Sequence, residues 1–180
     1  MKIKMMTIAA VFCCAMSSMM FTACGSDDDD NKTLGDDGTP VAAGMQYSFY
    51  VSDDMLAILD MTVEYYDGDG KLTTEKLTQK EWKISVASQK IPVSLGACVK
   101  AKIKDGADVN TINKVSEYGY NNAAYSTTAT GRLINNSGER SRYFFDAKDL
   151  SSLLNQKDGI IMSSYYNIND EGKVEDQSWK

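Results

Sequence analysis

The sequence predicts a mainly β domain: an antiparallel β-sandwich of immunoglobulin-like architecture with two short helical insertions. Three observations predict it. Apolar and polar residues alternate in run after run, as half-buried antiparallel strands require. Turn residues such as Asp67-Gly68-Asp69-Gly70 punctuate the runs at short intervals, enough for roughly seven to nine strands in two layers. Helical spacing occurs only in two brief stretches.

Taken in order, Tyr47, Phe49 and Val51 share one parity and form a first strand. Ser52, then Asp53-Asp54, then Met55, Leu56, Ile58 and Leu59 predict a short helix, with a Ser cap and acidic residues in the first turn. Met61, Val63 and Tyr65 make the next strand, closed by the Asp67–Gly70 hairpin signal. Trp82, Ile84 and Val86 share a face, which places Trp82 in the core. Leu95, Ala97, Val99, Ala101 and Ile103 point one way, and Lys100, Lys102 and Lys104 the other. Gly119 to Ala129 reads as an extended run or as a loop beginning at Asn121-Asn122.

Further along, Asn135-Asn136-Ser137-Gly138 predicts a turn between Arg132-Leu133-Ile134 and Tyr143-Phe144-Phe145. Asp146 caps a second short helix over Ala147 to Asn155, with Leu150, Leu153 and Leu154 on one face. Ile160, Met162 and Ile168 share a parity in a long run, and a last short strand lies near Val174. Trp179 either packs back or frays.

Composition excludes several kinds of chemistry. The 180 residues carry 19 Lys+Arg against 25 Asp+Glu, a net charge of -6, and no His. Without His there is no Ser-His or Cys-His pair, no His-ligated zinc or haem, and no imidazole switch near neutral pH. Net negative charge argues against nucleic acid, whose phosphates need clustered Lys and Arg. No cofactor and no metal are expected.

The N-terminus reads as a secretory signal. Lys2 and Lys4 precede the uncharged, mostly apolar stretch Met5 to Phe21, and small Ala23 precedes Cys24. That stretch is at the short edge for crossing a hydrocarbon core of about 30 Å. Phe21-Thr22-Ala23-Cys24 resembles the lipobox of bacterial lipoproteins. The resemblance implies that Cys24 becomes the first residue of the mature chain and carries lipid, with more than one acyl chain needed for stable anchoring. Gly25-Ser26-Asp27-Asp28-Asp29-Asp30 resembles the acidic export signal of Bacteroidetes surface lipoproteins. With Ser26, Asp27, Asp28, Asp29 and Asp30 as that signal, it implies an outer-membrane lipoprotein facing the cell exterior.

The expected organisation is a signal peptide over 1–23, a lipidated Cys with a flexible acidic tether over 24–44, and one β-sandwich over 45–180. Cleavage before Cys24 leaves 180 - 23 = 157 residues and a charge of 17 - 25 = -8. Cys98 is then the one thiol not lipidated, so no intrachain disulfide forms.

Candidate chemistry is sparse. Asp67-Gly-Asp69-Gly-Lys71 hints at calcium, but positions five, six and twelve of such a loop hold Lys71, Leu72 and Thr78 in place of an oxygen ligand, Gly and Glu; a hairpin turn is expected instead. Parity puts Cys98 outward beside lysines, whereas a bulge at Gly96 would turn it inward; a slowly reacting, buried thiol is expected. The Lys100, Lys102, Lys104 column could line an anion or simply solvate a face. Tyr118, Tyr120, Tyr125 and Tyr165 are the candidate ligand surface, since flat rings with a polar tip stack on sugars and fit protein contacts. The acidic pairs Asp53/Asp54, Asp170/Glu171 and Glu175/Asp176 sit on neighbouring residues, which in a strand face opposite ways. The expected function is a surface-exposed, non-catalytic binding or adhesion module, or a subunit of a surface assembly, with the membrane as partner through Cys24 and a glycan or protein as ligand. A scaffold lipoprotein without a small ligand, or a carboxylate-dependent hydrolase, is the alternative.

Overall fold

The protein is described from a computed structural model that covers residues 37–112, 116–156 and 158–179. The expected signal peptide, Cys24 and Ser26 to Asp30 lie outside the described residues. Among the described residues, no helix is long and apolar enough to cross a membrane.

Alternation does produce strands, and they form two packed antiparallel sheets. In chain order the elements are β1 (Pro40–Val51), α1 (Asp53–Ile58), β2 (Leu59–Tyr66), β3 (Leu72–Leu77), β4 (Glu81–Ser88), β5 (Val93–Ile103), a 3-10 turn (Val109–Thr111), β6 (Ser116–Thr128), β7 (Leu133–Phe145), α2 (Ala147–Gln156), β8 (Ile160–Ile168) and β9 (Val174–Gln177). The first sheet runs β4-β1-β6-β7 and the second β3-β2-β5-β8-β9. The two antiparallel layers make a β-sandwich, and its strand order is not the immunoglobulin one. An immunoglobulin domain keeps its first strand at a sheet edge, whereas β1 here lies between β4 and β6.

The inner faces supply the core. Met45, Tyr47, Phe49 and Val51 of β1 meet Leu59, Met61, Val63 and Tyr65 of β2, and Leu95, Ala97 and Val99 of β5, all buried. Full burial of one such large apolar side chain contributes about 1.5–3 kcal/mol, so this continuous layer supplies cohesion without any disulfide. Trp82 is half-buried at the margin of this core, against Tyr47 and Tyr65. Its indole N–H donates to Glu75 Oε2 at 3.0 Å, and the Tyr65 hydroxyl donates to Glu75 Oε1 at 2.8 Å.

Three local expectations change and one open reading, the third below, resolves. First, β1 begins at Pro40, so Pro40 to Gly44 belongs to the sheet and not to the tether ending at 44. Ala42, Ala43 and Gly44 carry too little side chain to show a period, yet Ala43 is fully buried. Second, Asn135 to Gly138 is not a turn but the middle of β7, paired residue by residue with Ser126 to Ala123 of β6. Third, Gly119 to Thr128 is strand, within the 13-residue β6. Fourth, Ser52 occupies the N-cap position of α1 without bonding to the helix. Its hydroxyl accepts instead from the Glu117 backbone N–H at 3.1 Å, which ties the helix entry to β6.

The second helix behaves as the sequence predicts. Asp146 Oδ1 accepts from the Asp149 N–H at 2.9 Å, and Leu150 is fully buried. α2 carries the chain from β7, at the edge of the first sheet, to β8 in the second.

Candidate functional site: an aromatic recess beside the β7 edge

The strand parity of β6 and β7 sets four aromatic rings on one inner face. Tyr118 lies directly across from Tyr143 in register, with ring centroids 5.0 Å apart. Tyr118 also stacks on Phe145 at 5.2 Å and 8° between planes, and on Phe49 at 5.9 Å. Beyond this cluster the sheets do not close. A recess of about 460 Å³ remains, walled by Tyr118, Tyr120, Tyr143 and Phe145 on one side and by Ile160 to Ser163 on the other, with Leu153 of α2 and Asp158 completing it. Tyr143 is 40 % exposed at its mouth.

Towards the other end of the same strands the inner face turns polar. The Tyr120 hydroxyl donates to Glu139 Oε2 at 3.4 Å. The Ser164 hydroxyl donates to Glu139 Oε1, and Asn122 Nδ2 donates to Ser164 Oγ at 2.8 Å. Asn122 and Ser164 are buried, so each needs these partners. Burial pushes the Tyr118 phenol well up, and burial pushes Tyr120 and Tyr166 up to about 12. At neutral pH these phenols are therefore neutral: they offer ring faces and hydroxyl hydrogen bonds, not bases.

The outer face of β7 has a different character. Arg140 and Arg142 project there beside Tyr50 and Ser141, around a shallow hollow of about 500 Å³. Arg142 pairs with Glu117 at 2.6 Å and lies 4.9 Å over the Phe144 ring. Phe144 is 57 % exposed.

Three of the four tyrosines expected to face a ligand are buried: Tyr118, Tyr120 and Tyr165. Tyr118 and Tyr120 have the inward parity of β6 and show the recess only part of each ring. Tyr165 points outward from β8 but is covered by Tyr66 and Trp179, at 5.7 and 5.9 Å; Trp179 therefore packs back. Tyr125 is half-buried and lies over Gly44 on the outer face. The most exposed aromatic residues of β7, Tyr143 at the mouth of the recess and Phe144 on the outer face, were not singled out by sequence reasoning. The signal was available in the run Arg140 to Phe145, which combines two arginines with three aromatic residues.

The other candidates resolve into structure. Cys98 keeps its outward parity, since β5 pairs regularly with β8 from Gly96 to Cys98 and shifts register only between Val99 and Lys100. It is nonetheless fully buried. Glu64 and Ser163 flank it in register, and Lys100 bridges to Glu64 at 2.8 Å. Burial pushes the thiol up to about 11 although Lys100 pulls it down.

The lysine column is paired. Lys102 faces Asp60 at 3.9 Å, and Lys104 Nζ donates to the Leu56 and Ala57 carbonyls at 2.8 Å. Asp67 Oδ1 accepts from the Asp69 and Lys71 N–H groups, closing the turn, where Gly70 takes a φ of 77°. Among the described residues, no group of three or more His, Cys, Asp or Glu side chains is placed to hold a metal ion. Of the acidic pairs, Asp53 is taken by Lys80, Asp54 by Ser116 and Glu175 by Lys173.

No family model and no curated protein matches this chain. Among solved structures, one similar chain is the NMR structure of the calcium-bound form of a protein from Parabacteroides distasonis. It is 14 % identical, the match covers 68 % of this chain and 88 % of that one, and the TM-score is 0.30.

Proposed function

We propose that the chain is a lipid-anchored, surface-displayed binding module with no catalytic role, held by Cys24 at the outer membrane and facing the exterior. The single observation that carries the binding part is the recess between β7 and β8, left open with Tyr143 at its mouth. Closing it would bury more apolar surface at about 25 cal/mol per Å², so an open aromatic recess beside a well-packed core suits a ligand. The anchor and the display rest on Phe21 to Cys24 and on Ser26 to Asp30.

The test uses cells that express the full chain. Labelled palmitate is followed into the protein, and protease is added to intact cells. The expected result is label in the wild type, none in Cys24→Ser, and digestion of the domain before the membrane is breached. Label equal in the two proteins ends the anchor reading. A domain digested only after lysis ends the display reading.

A further inference from the structure

The two sheets have four edge strands: β4, β7, β3 and β9. An edge strand presents unpaired N–H and C=O groups and recruits another strand unless it is short, covered or charged against pairing. Three of the edges are managed. β9 has 4 residues and β3 has 6, with Lys76 on it. β4 has 8, and the Asp67–Gly70 turn packs so closely on it that a side chain at Gly68 would overlap the Ala87 backbone.

β7 is the exception. It has 13 residues with no Pro and no Lys. Near its start the Val174 N–H of β9 donates to Asn135 Oδ1 at 3.1 Å and guards that end. From Glu139 to Phe145 the only strand beside it among the described residues is β6. The recess lies on the inner side of this open half and the arginine hollow on its outer side. Arg140 is exposed and makes no ion pair with any described residue.

We propose that β7 is a docking edge for an extended polypeptide strand, antiparallel or parallel, whose residues alternate apolar and acidic. Side chains of a strand point to opposite faces with a period of two. A strand added to Glu139–Phe145 therefore sets alternate residues over the aromatic recess and the intervening ones beside Arg140 and Arg142. Apolar groups cover Tyr143 and Phe145; acidic groups meet the guanidinium of Arg140, which no described carboxylate pairs. Main-chain hydrogen bonds supply affinity, and the two lined faces supply selectivity, as in strand addition generally. The arginines both face outward, so they do not block the edge; they select against a basic partner. This inference rests on the binding-module reading but not on the lipid anchor.

The test is a titration of the purified full chain against a fluorescein-labelled seven-residue peptide alternating Val and Glu. Two further peptides serve as probes: one with Lys for every Glu, and one N-methylated at alternate residues, which keeps the side chains but removes the donors of one edge. The expected result is binding by the first peptide and about tenfold or greater loss for each of the others. Arg140→Glu in the full chain is expected to lose about tenfold towards the Glu peptide and to gain towards the Lys peptide, with an unchanged thermal midpoint because Arg140 is exposed and makes no ion pair with any described residue. Equal binding of the N-methylated peptide, or no binding by any peptide, overturns the proposal. So does sedimentation showing a dimer that Arg140→Glu leaves intact and that excludes the peptide, since the occupant is then a second copy. A neutral glycan bound by wild type and lost in Tyr143→Ala, with all peptides silent, overturns the strand while leaving the binding module standing.

Discussion

Tyr50 of β1 lies directly across from Gly119 of β6, and its ring occupies the space that a side chain at Gly119 would fill. The relation recurs in reverse: Tyr125 of β6 lies over Gly44 of β1. A third pair, Gly96 with Tyr165, joins β5 to β8 on the other sheet. Glycine weakens a strand interior because it packs nothing. A cross-strand ring laid over it restores that contact.

The two reciprocal glycines should tolerate a methyl group differently. At Gly119 the three nearest obstacles are all atoms of the Tyr50 ring, which can swing outward. Gly119→Ala is expected to change stability by no more than about 0.5 kcal/mol, ring displacement being offset by lower unfolded-chain entropy. At Gly44 the Val86 carbonyl oxygen also stands 2.9 Å from the new carbon. Gly44→Ala is expected to cost about 1–3 kcal/mol. Urea denaturation of both variants decides it; equal losses would contradict the account.

Alkali should unfold this domain before mild acid perturbs it through any imidazole, since the chain has no His. Cys98 is pushed from 9.0 up to about 11, and Tyr65, Tyr120 and Tyr166 from 10.0 up to about 12, burial leading in each case. In the unfolded chain these groups ionise first, so the unfolded state binds fewer protons than the folded one. Stability from this source is complete below about pH 9 and falls as pH rises towards 12. Denaturation followed from pH 7 to 11.5 is expected to show a plateau and then a decline beginning near 9. At pH 8 the Cys98 thiol is expected to react with an aromatic disulfide reagent at least about a hundredfold more slowly than in urea. Rapid native labelling would mean that the outer face of β5 opens.

The polar pair inside the sandwich should be worth more than its area. Asn122→Ala removes the donor to Ser164 Oγ and the acceptor that takes the Ser48 N–H at 3.3 Å. The expected cost is about 1–3 kcal/mol. Asn122→Ala combined with Ser164→Ala should cost less than the sum of the single changes, because the two share one hydrogen bond. Strict additivity in a double-mutant cycle would contradict the pairing.

Strand identity was legible wherever one face is apolar. Met61, Val63 and Tyr65 are buried while Asp60, Thr62 and Glu64 are not, so alternation alone specified that strand. It failed in β7, where Asn135 to Gly138 spell a turn but lie on an edge whose outer side needs no large side chains and whose pairing with β6 is set by the partner. Cys98 is buried as expected, but not by a bulge at Gly96 that turns it inward. Its outward direction was read correctly, but covering by neighbouring strands is a tertiary property that no period reports. The tyrosines show the same limit. Residue type marked Tyr118 and Tyr120 as ligand-like, yet on β6 their parity is inward and packing takes them. The recess could not be seen at all, because it depends on where β7 stops covering β8.

The most direct measurement is amide hydrogen exchange on the full chain with and without a saturating amount of the alternating Val and Glu peptide. The account predicts that exchange slows about tenfold or more in β7 between Glu139 and Phe145, with little change in β1 or β2. Slowing confined to β4, β3 or β9, or no slowing anywhere while the peptide is bound, would contradict it.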